Sequence, residues 1–137
     1  MRQLPSKLRR MTIMNDLSYM AMMFARKVHE CHARKYTGNP YVDHLAEVAG
    51  IVATVDARPE TIAAAWLHDS VEDCGISIVT IDGLFGPLVA VYVSGLSDME
   101  IGNRAERKQM SRDRLAVCSR TIQTIKCADL ISNTSNR

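Results

Sequence analysis

Apolar positions recur at helical spacing along most of the chain. Leu17, Met20, Ala21, Phe24, Ala25 and Val28 fall at i, i+3, i+4, i+7, i+8 and i+11. That stripe predicts a first amphipathic helix, with Asn15 or Asp16 placed as its cap. The cluster Tyr36-Thr37-Gly38-Asn39-Pro40 is rich in turn formers and ends it. Leu45, Val48, Ala49 and Val52 make a second stripe. Pro59, tolerated in a first turn, opens a third helix through Ile62, Ala63, Trp66 and Leu67 to about Asp73, where Gly75 can stop it. Short helices are predicted over 78–85 and 87–96, although the β-branched run Val89–Val93 also suits a strand. Residues 103–120 read as a polar surface helix, and 121–133 as a final helix with Ile122, Ile125 and Leu130 inward. There are no repeats or linkers, and 137 residues suit one domain with its own core. The pattern predicts a single all-α domain over 15–137 behind a basic lead-in, 1–14.

Composition narrows the class. At 47% hydrophobic and 23% charged the chain is too apolar for a disordered tail. Its longest uncharged apolar-leaning run, 83–97, is broken by Gly86, Pro87 and Gly95. It falls short of the roughly 20 residues of a membrane span. The basic start has no apolar stretch behind it, so no secretory signal is expected, and the chain reads as soluble and cytoplasmic. Cys31, Cys74, Cys118 and Cys127 form no CxxC pair, which predicts reduced thiols. Cys31 lies between His29 and His32, but the spacing is wrong for a zinc finger and no second Cys/His pair completes one.

The net charge of +2 is segregated. Residues 1–35 carry eight Lys/Arg against Asp16 and Glu30. Residues 36–103 carry Arg58 against ten Asp/Glu, and residues 104–137 carry eight Lys/Arg against three acids. An acidic middle with basic flanks suits a cation site surrounded by groups that hold an anion. The basic segments have no interleaved aromatic rings, which argues against a single-strand nucleic-acid platform.

The acidic middle contains His68-Asp69-Ser70-Val71-Glu72-Asp73 at the end of an apolar helix. On one continuous helix, His68/Glu72 and Asp69/Asp73 are i, i+4 pairs on one side. Carboxylates there face the negative end of the helix dipole, an unfavourable placement that a bound cation would relieve. His44 sits in the first turn of the second helix, where the dipole disfavours imidazolium and leaves a neutral ligand. On the last helix, Lys126, Asp129 and Asn133 share a polar stripe at i, i+3, i+7. An inward-leaning Asp is costly unless paired or metal-bound. His44, His68, Asp69 and Asp129 make a mixed N/O set suited to Mn²⁺, Fe²⁺ or Zn²⁺ with positions open to water and substrate.

A lone His, a His-Asp pair at a helix end and a distant Asp resemble the HD metal-dependent phosphohydrolases. The blocks Ala33-Arg34-Lys35-x-x-Gly38-x-Pro40-Tyr41-x-x-His44, Leu67-His68-Asp69-x-x-Glu72-Asp73, Phe85-Gly86 and Lys126-x-Ala128-Asp129-x-x-x-Asn133 are similar to the hydrolase domain of RelA/SpoT-type enzymes, especially the small alarmone hydrolases. The resemblance covers about 16–136. It implies a single HD-domain helical bundle, a Mn²⁺ ion and removal of the 3′-diphosphate from (p)ppGpp, a small-molecule nucleotide; the composition adds the expectation of no nucleic-acid or membrane partner. The resemblance further implies that His44, His68, Asp69 and Asp129 are the ligands and that Glu72 and Asp73 orient or activate the attacking water. Arg34, near the base, and Lys35 would meet the nucleotide, and Asn133 the sugar or phosphate side. The basic run Arg104, Arg107 and Lys108 can meet the phosphates of a polyanionic substrate. The family pattern continues with helices beyond the last block that this chain lacks. Two alternatives stand beside this reading: an HD phosphohydrolase acting on another nucleotide or a phosphorylated dinucleotide such as NADPH, and an inactive nucleotide-binding module.

Overall fold

The computed structural model describes residues 6–34, 37–97 and 101–135, with side chains from 17 to 134. Among them are eight helices and no strand: α1 (Ser6–Val28), α2 (Tyr41–Val55), α3 (Pro59–Leu67), α4 (Ser70–Cys74), α5 (Ile78–Phe85), α6 (Pro87–Leu96), α7 (Arg104–Ala116) and α8 (Arg120–Ser135). The all-α class predicted from periodicity is the class observed, and Val89–Val93 lies within α6. None of these helices is long and apolar enough to cross a membrane.

The bundle is built around α3, which packs on α1, α2, α6 and α8. Its Ala63, Ala64 and Ala65 are fully buried, as are Ala21 and Ala25 of α1, the helix it packs on most extensively. Small side chains let helix axes approach closely, so α3 can touch several neighbours at once. Leu45, Val48, Ala49 and Val52 of α2 are all in the core, as the stripe predicts. Phe24 and Phe85 meet edge to face with centroids 5.5 Å apart, tying α1 to α5.

Gly95 allows α6 to approach α8. A Cβ there would stand 2.6 Å from Ile122 Cδ1 and 3.4 Å from its Cγ1. Gly95→Val should therefore lose about 1–3 kcal/mol by overpacking. A urea melt reads this directly, and an unchanged midpoint would contradict the close approach.

Four expectations are corrected. α1 begins at Ser6, so Asn15 and Asp16 lie inside it and cap nothing. Met20 and Leu130 sit on the outer edges of their stripes, 48% and 52% exposed. The polar helix ends at Ala116, and Arg120 already belongs to α8. Most consequential, the third helix does not run on to Asp73. It stops at Leu67, and Asp69, at φ −101° and ψ −2°, opens the separate helix α4. Two side chains satisfy carbonyls at the break: His68 Nδ1 donates to Ala65 O at 2.6 Å and Ser70 Oγ to Leu67 O at 2.7 Å. Such local donors compete with the backbone ladder. Glu72 and Asp73 thus lie in the first turn of α4, and the expected clash with a helix C-terminus is removed.

Candidate metal centre

Three places in the fold bring four side chains together: His44 from the first turn of α2, His68 and Asp69 from the α3–α4 break, and Asp129 from the middle of α8. One nitrogen or oxygen from each lies within 4.8 Å of the others. His44 and His68 are 0% and 3% exposed, and Asp129 is 7% exposed.

The ring orientations are fixed from behind. His68 Nδ1 faces the Ala65 carbonyl, which only accepts, so Nδ1 carries the hydrogen. His44 Nδ1 lies 2.8 Å from Ser132 Oγ. Both Nε2 atoms therefore point to the centre. His44 Nε2 is 2.9 Å and His68 Nε2 3.2 Å from Asp129 Oδ1, and His68 Nε2 is 3.0 Å from Asp69 Oδ2. A neutral His68 would aim a lone pair at two carboxylate oxygens. That arrangement is repulsive unless a proton or a metal ion stands between them. Two imidazoles and two carboxylates, each ring held by an outer partner, fit a divalent metal ion by donor chemistry.

Without a cation, the proton takes that place. Burial opposes a charged His68, but Asp69 and Asp129 hold its pKa well above the ordinary 6.5. Burial likewise works against the Asp129 carboxylate, yet its bonds to His44 and His68 carry it well below the usual range. Asp69 is lowered in the same way by His68. Tyr41 donates to Asp69 Oδ2 at 2.5 Å, and burial with the Asp69 charge pushes its phenol far up, so it stays a donor.

The remaining predicted site residues are placed as follows. Glu72 and Asp73 are exposed. Partial desolvation and the Asp69 charge raise the Asp73 carboxyl, which also feels His68 and Asp129. Asn133 Nδ2 donates to Asp129 Oδ1 at 3.2 Å. Arg34 has its side chain 9% exposed, with NH1 donating to Glu47 Oε2 and NH2 to the Ser132 carbonyl, each at 3.0 Å. Lys35 lies outside the described residues. Arg104, Arg107 and Lys108 line a cavity of about 690 Å³ between α7 and α8 together with Lys126. Lys126 Nζ also donates to Asp129 Oδ2 at 3.4 Å, so this basic cavity borders the cluster.

Tyr41, Ser132 and the linking role of Lys126 were not assigned from sequence. Helical spacing carried a signal for the first two: Tyr41 is three residues before His44, and Ser132 three after Asp129.

Residues 21–124 match the family described as HD domain. The chain is 39% identical over 85 residues to guanosine-3′,5′-bis(diphosphate) 3′-pyrophosphohydrolase of Vibrio cholerae, covering 62% of this chain and 12% of that protein. It is 33% identical over 113 residues to guanosine-3′,5′-bis(diphosphate) 3′-pyrophosphohydrolase MESH1 of Danio rerio, covering 80% of this chain and 63% of that one. It thus spans less than two-thirds of the length of either relative. A solved structure described as a metazoan ortholog of SpoT that hydrolyzes ppGpp superposes with a TM-score of 0.79 at 28% identity, over 98% of this chain and 72% of its own. A crystal structure of lmo0812 from Listeria monocytogenes EGD-e gives 0.65 at 29% identity, over 74% and 65%. The match to the family runs across α2, α3 and the His68-Asp69 break, and the chain belongs to the HD-domain family.

Proposed function

We propose that this chain is a metal-dependent phosphohydrolase that removes the 3′-diphosphate of the guanosine alarmones (p)ppGpp, using Mn²⁺, in the cytoplasm. Water would enter at the phosphoryl group, and the products would be GDP or GTP and diphosphate. The observation that carries the reading is the convergence of His44 Nε2, His68 Nε2, Asp69 Oδ2 and Asp129 Oδ1 beside a basic cavity. Relatives whose names state this hydrolysis support it.

In this reading the four residues hold the ion, which supplies charge neutralisation and a water of lowered pKa. The mixed donor set favours Mn²⁺ over Mg²⁺, which binds imidazole poorly. Asp73, its pKa raised, is suited to take the proton of the attacking water, with Glu72 beside it. Tyr41 fixes Asp69 by its hydrogen bond. Arg104, Arg107, Lys108 and Lys126 meet the phosphates, with Asn133 close to them through its bond to Asp129. Lys35 is assigned to the nucleotide on the sequence block alone. The guanine contact first expected of Arg34 conflicts with its engagement by Glu47 and Ser132.

The test is a Mn²⁺-supplemented panel of ppGpp, pppGpp, GTP and NADPH scored for diphosphate and orthophosphate. Diphosphate from ppGpp is expected, with turnover lowered by about 10²-fold or more in Glu72→Gln/Asp73→Asn while metal binding persists. Orthophosphate from NADPH would replace the substrate assignment. Metal binding without turnover would make the chain a binding module.

The protonated cluster also sets a pH dependence. A metal must displace the His68 proton, so its affinity should rise about tenfold per pH unit until the raised His68 pKa is passed. In the metal-free chain the signs are opposite for the two partners. The His68 contribution is complete below the ordinary 6.5 and disappears as pH rises through its raised value. The Asp129 contribution is complete above the ordinary 3.8 and disappears as pH falls through its lowered value. These two contributions are both complete only between 3.8 and 6.5, and His29, held neutral down to about 4 by burial, loses stability as pH falls from 6.5, so melting temperature without metal should peak near 6.5 and decline on either side. Calorimetric titrations at several pH values, with melts of metal-free protein, read both.

A further inference from the structure

A second cluster of metal-ligating side chains stands apart from the first. His29 is the first residue after α1, His32 lies just beyond the turn that follows, and Cys74 is the last residue of α4. His29 Nδ1 and His32 Nδ1 are 3.0 Å apart. Cys74 Sγ is 3.5 Å from His29 Nδ1 and 3.6 Å from its Nε2. The three ligand atoms all lie within 4.8 Å of one another. The sequence pairs these histidines with Cys31, but Cys31 is exposed and the fold brings Cys74 instead.

We propose that His29, His32 and Cys74 form a second metal site, one that takes a soft divalent transition ion of the Zn²⁺ class. A tetrahedral Zn²⁺ with bonds of about 2.0–2.1 Å to nitrogen and 2.3 Å to sulfur places its nitrogens about 3.3 Å apart and nitrogen from sulfur about 3.5 Å. The His29–His32 and His29–Cys74 separations, 3.0 and 3.5 Å, lie within a few tenths of an ångström of these values, and Sγ, nearly as far from Nε2 as from Nδ1 of His29, needs a side-chain rotation toward Nδ1 to share the ion. Thiolate with two imidazoles selects Zn²⁺ or Co²⁺ over Mn²⁺ and Mg²⁺, whereas the His₂Asp₂ cluster has no sulfur. The two sites therefore differ in the ions they prefer.

The surroundings suit an ion. His29 is 1% exposed, and burial lowers its pKa to about 4, so the ring is neutral and offers a lone pair. The backbone fixes the segment: His32 N donates to His29 O at 2.9 Å, and Tyr41 N to His32 O at 2.9 Å. His32 and Cys74 are half-buried, which leaves an entry path and room for water as the fourth ligand. Without metal the thiol is raised by burial and by Asp73 and Asp69, and Sγ donates to Val28 O at 3.4 Å. A bound divalent charge reverses that balance and takes the sulfur as thiolate, releasing its proton to solvent.

An ion here would join the segment that leads to Arg34 with the helix that starts after Asp69. Tyr41 lies between the two clusters, its ring centroid 5.2 Å from that of His29 and 5.2 Å from that of His44. The site would thus brace the wall of the first cluster without supplying a ligand to it.

The experiment is a titration of the metal-free, reduced full chain with Co²⁺, following the thiolate-to-cobalt charge-transfer band and the equivalents bound. The parent should bind two equivalents and show the band. Cys74→Ser should lose the band and one equivalent. Asp129→Asn should lose the other equivalent and keep the band, which separates this site from the His₂Asp₂ reading. His32→Gln, on the half-exposed side, provides a second variant should Cys74→Ser fail to fold. Its band should need at least about tenfold more Co²⁺. A parent without the band overturns the proposal. So does a band that survives Cys74→Ser, tracing to Cys31, Cys118 or Cys127, or one that His32→Gln leaves unchanged in affinity, as expected if the histidines only share a hydrogen bond.

Discussion

Asp129→Asn is expected to fold, to bind divalent metal at the His₂Asp₂ cluster more than about 100-fold more weakly, and to lose hydrolysis with it. Outer partners of metal ligands alone change affinity by about 10–100-fold, so a direct ligand sets a larger loss. Asp129 has the most demands on it of any group in the cluster. Its Oδ1 meets His44, His68 and Asn133, and its Oδ2 meets Lys126. The amide keeps the volume and one oxygen, so His44 and His68 retain a polar neighbour and the core stays filled. It removes the negative charge that draws a cation between the two Nε2 atoms. Circular dichroism and calorimetry on one preparation separate the two effects. Folded protein with parental affinity would take Asp129 out of the ligand set.

The fold class and the meeting of His44, His68, Asp69 and Asp129 were legible because both rest on helical period. Leu45, Val48, Ala49 and Val52 orient α2, and with it His44. Ile122, Ile125 and Ala128 do the same for α8 and Asp129. The α3–α4 break was not legible, because periodicity is nearly unchanged across it. The break depends on which carbonyls His68 and Ser70 capture, and that is a matter of rotamers. Loop geometry was hidden for a similar reason. Gly38, at φ 72°, lets the chain turn so that Arg34 N donates to Asn39 O at 2.7 Å, and this closes the loop that aims the Arg34 side chain. Cys74 was obscured because its partners are more than forty residues away, and local spacing pointed to Cys31 instead.

Arg34→Ala is expected to act on the fold and, through it, on the metal centre. The guanidinium spans two helices, with one arm on Glu47 of α2 and the other on the Ser132 carbonyl of α8. Ser132 in turn places its Oγ 2.8 Å from His44 Nδ1. A chain of contacts thus runs from Arg34 through the α8 backbone to the ring that faces Asp129. Hydrogen bonds to a charged group contribute about 1.5–3 kcal/mol when little exposed. For a chain of this size that is a fall in Tm of roughly 5–10 °C. Ser132→Ala should keep most of the stability but weaken metal binding by about 10–100-fold, since it removes the outer partner of His44 directly. Arg34→Ala should weaken metal binding less than Ser132→Ala and cost more in Tm. Arg34→Lys should restore little, because an ammonium lacks the planar fork that reaches both acceptors. Thermal melts and metal titrations of the three variants give the ranking. Were Arg34→Ala to leave Tm and metal affinity at parental values while raising KM for the nucleotide, the residue would belong to the base pocket, and the clamp between α2 and α8 would be incidental.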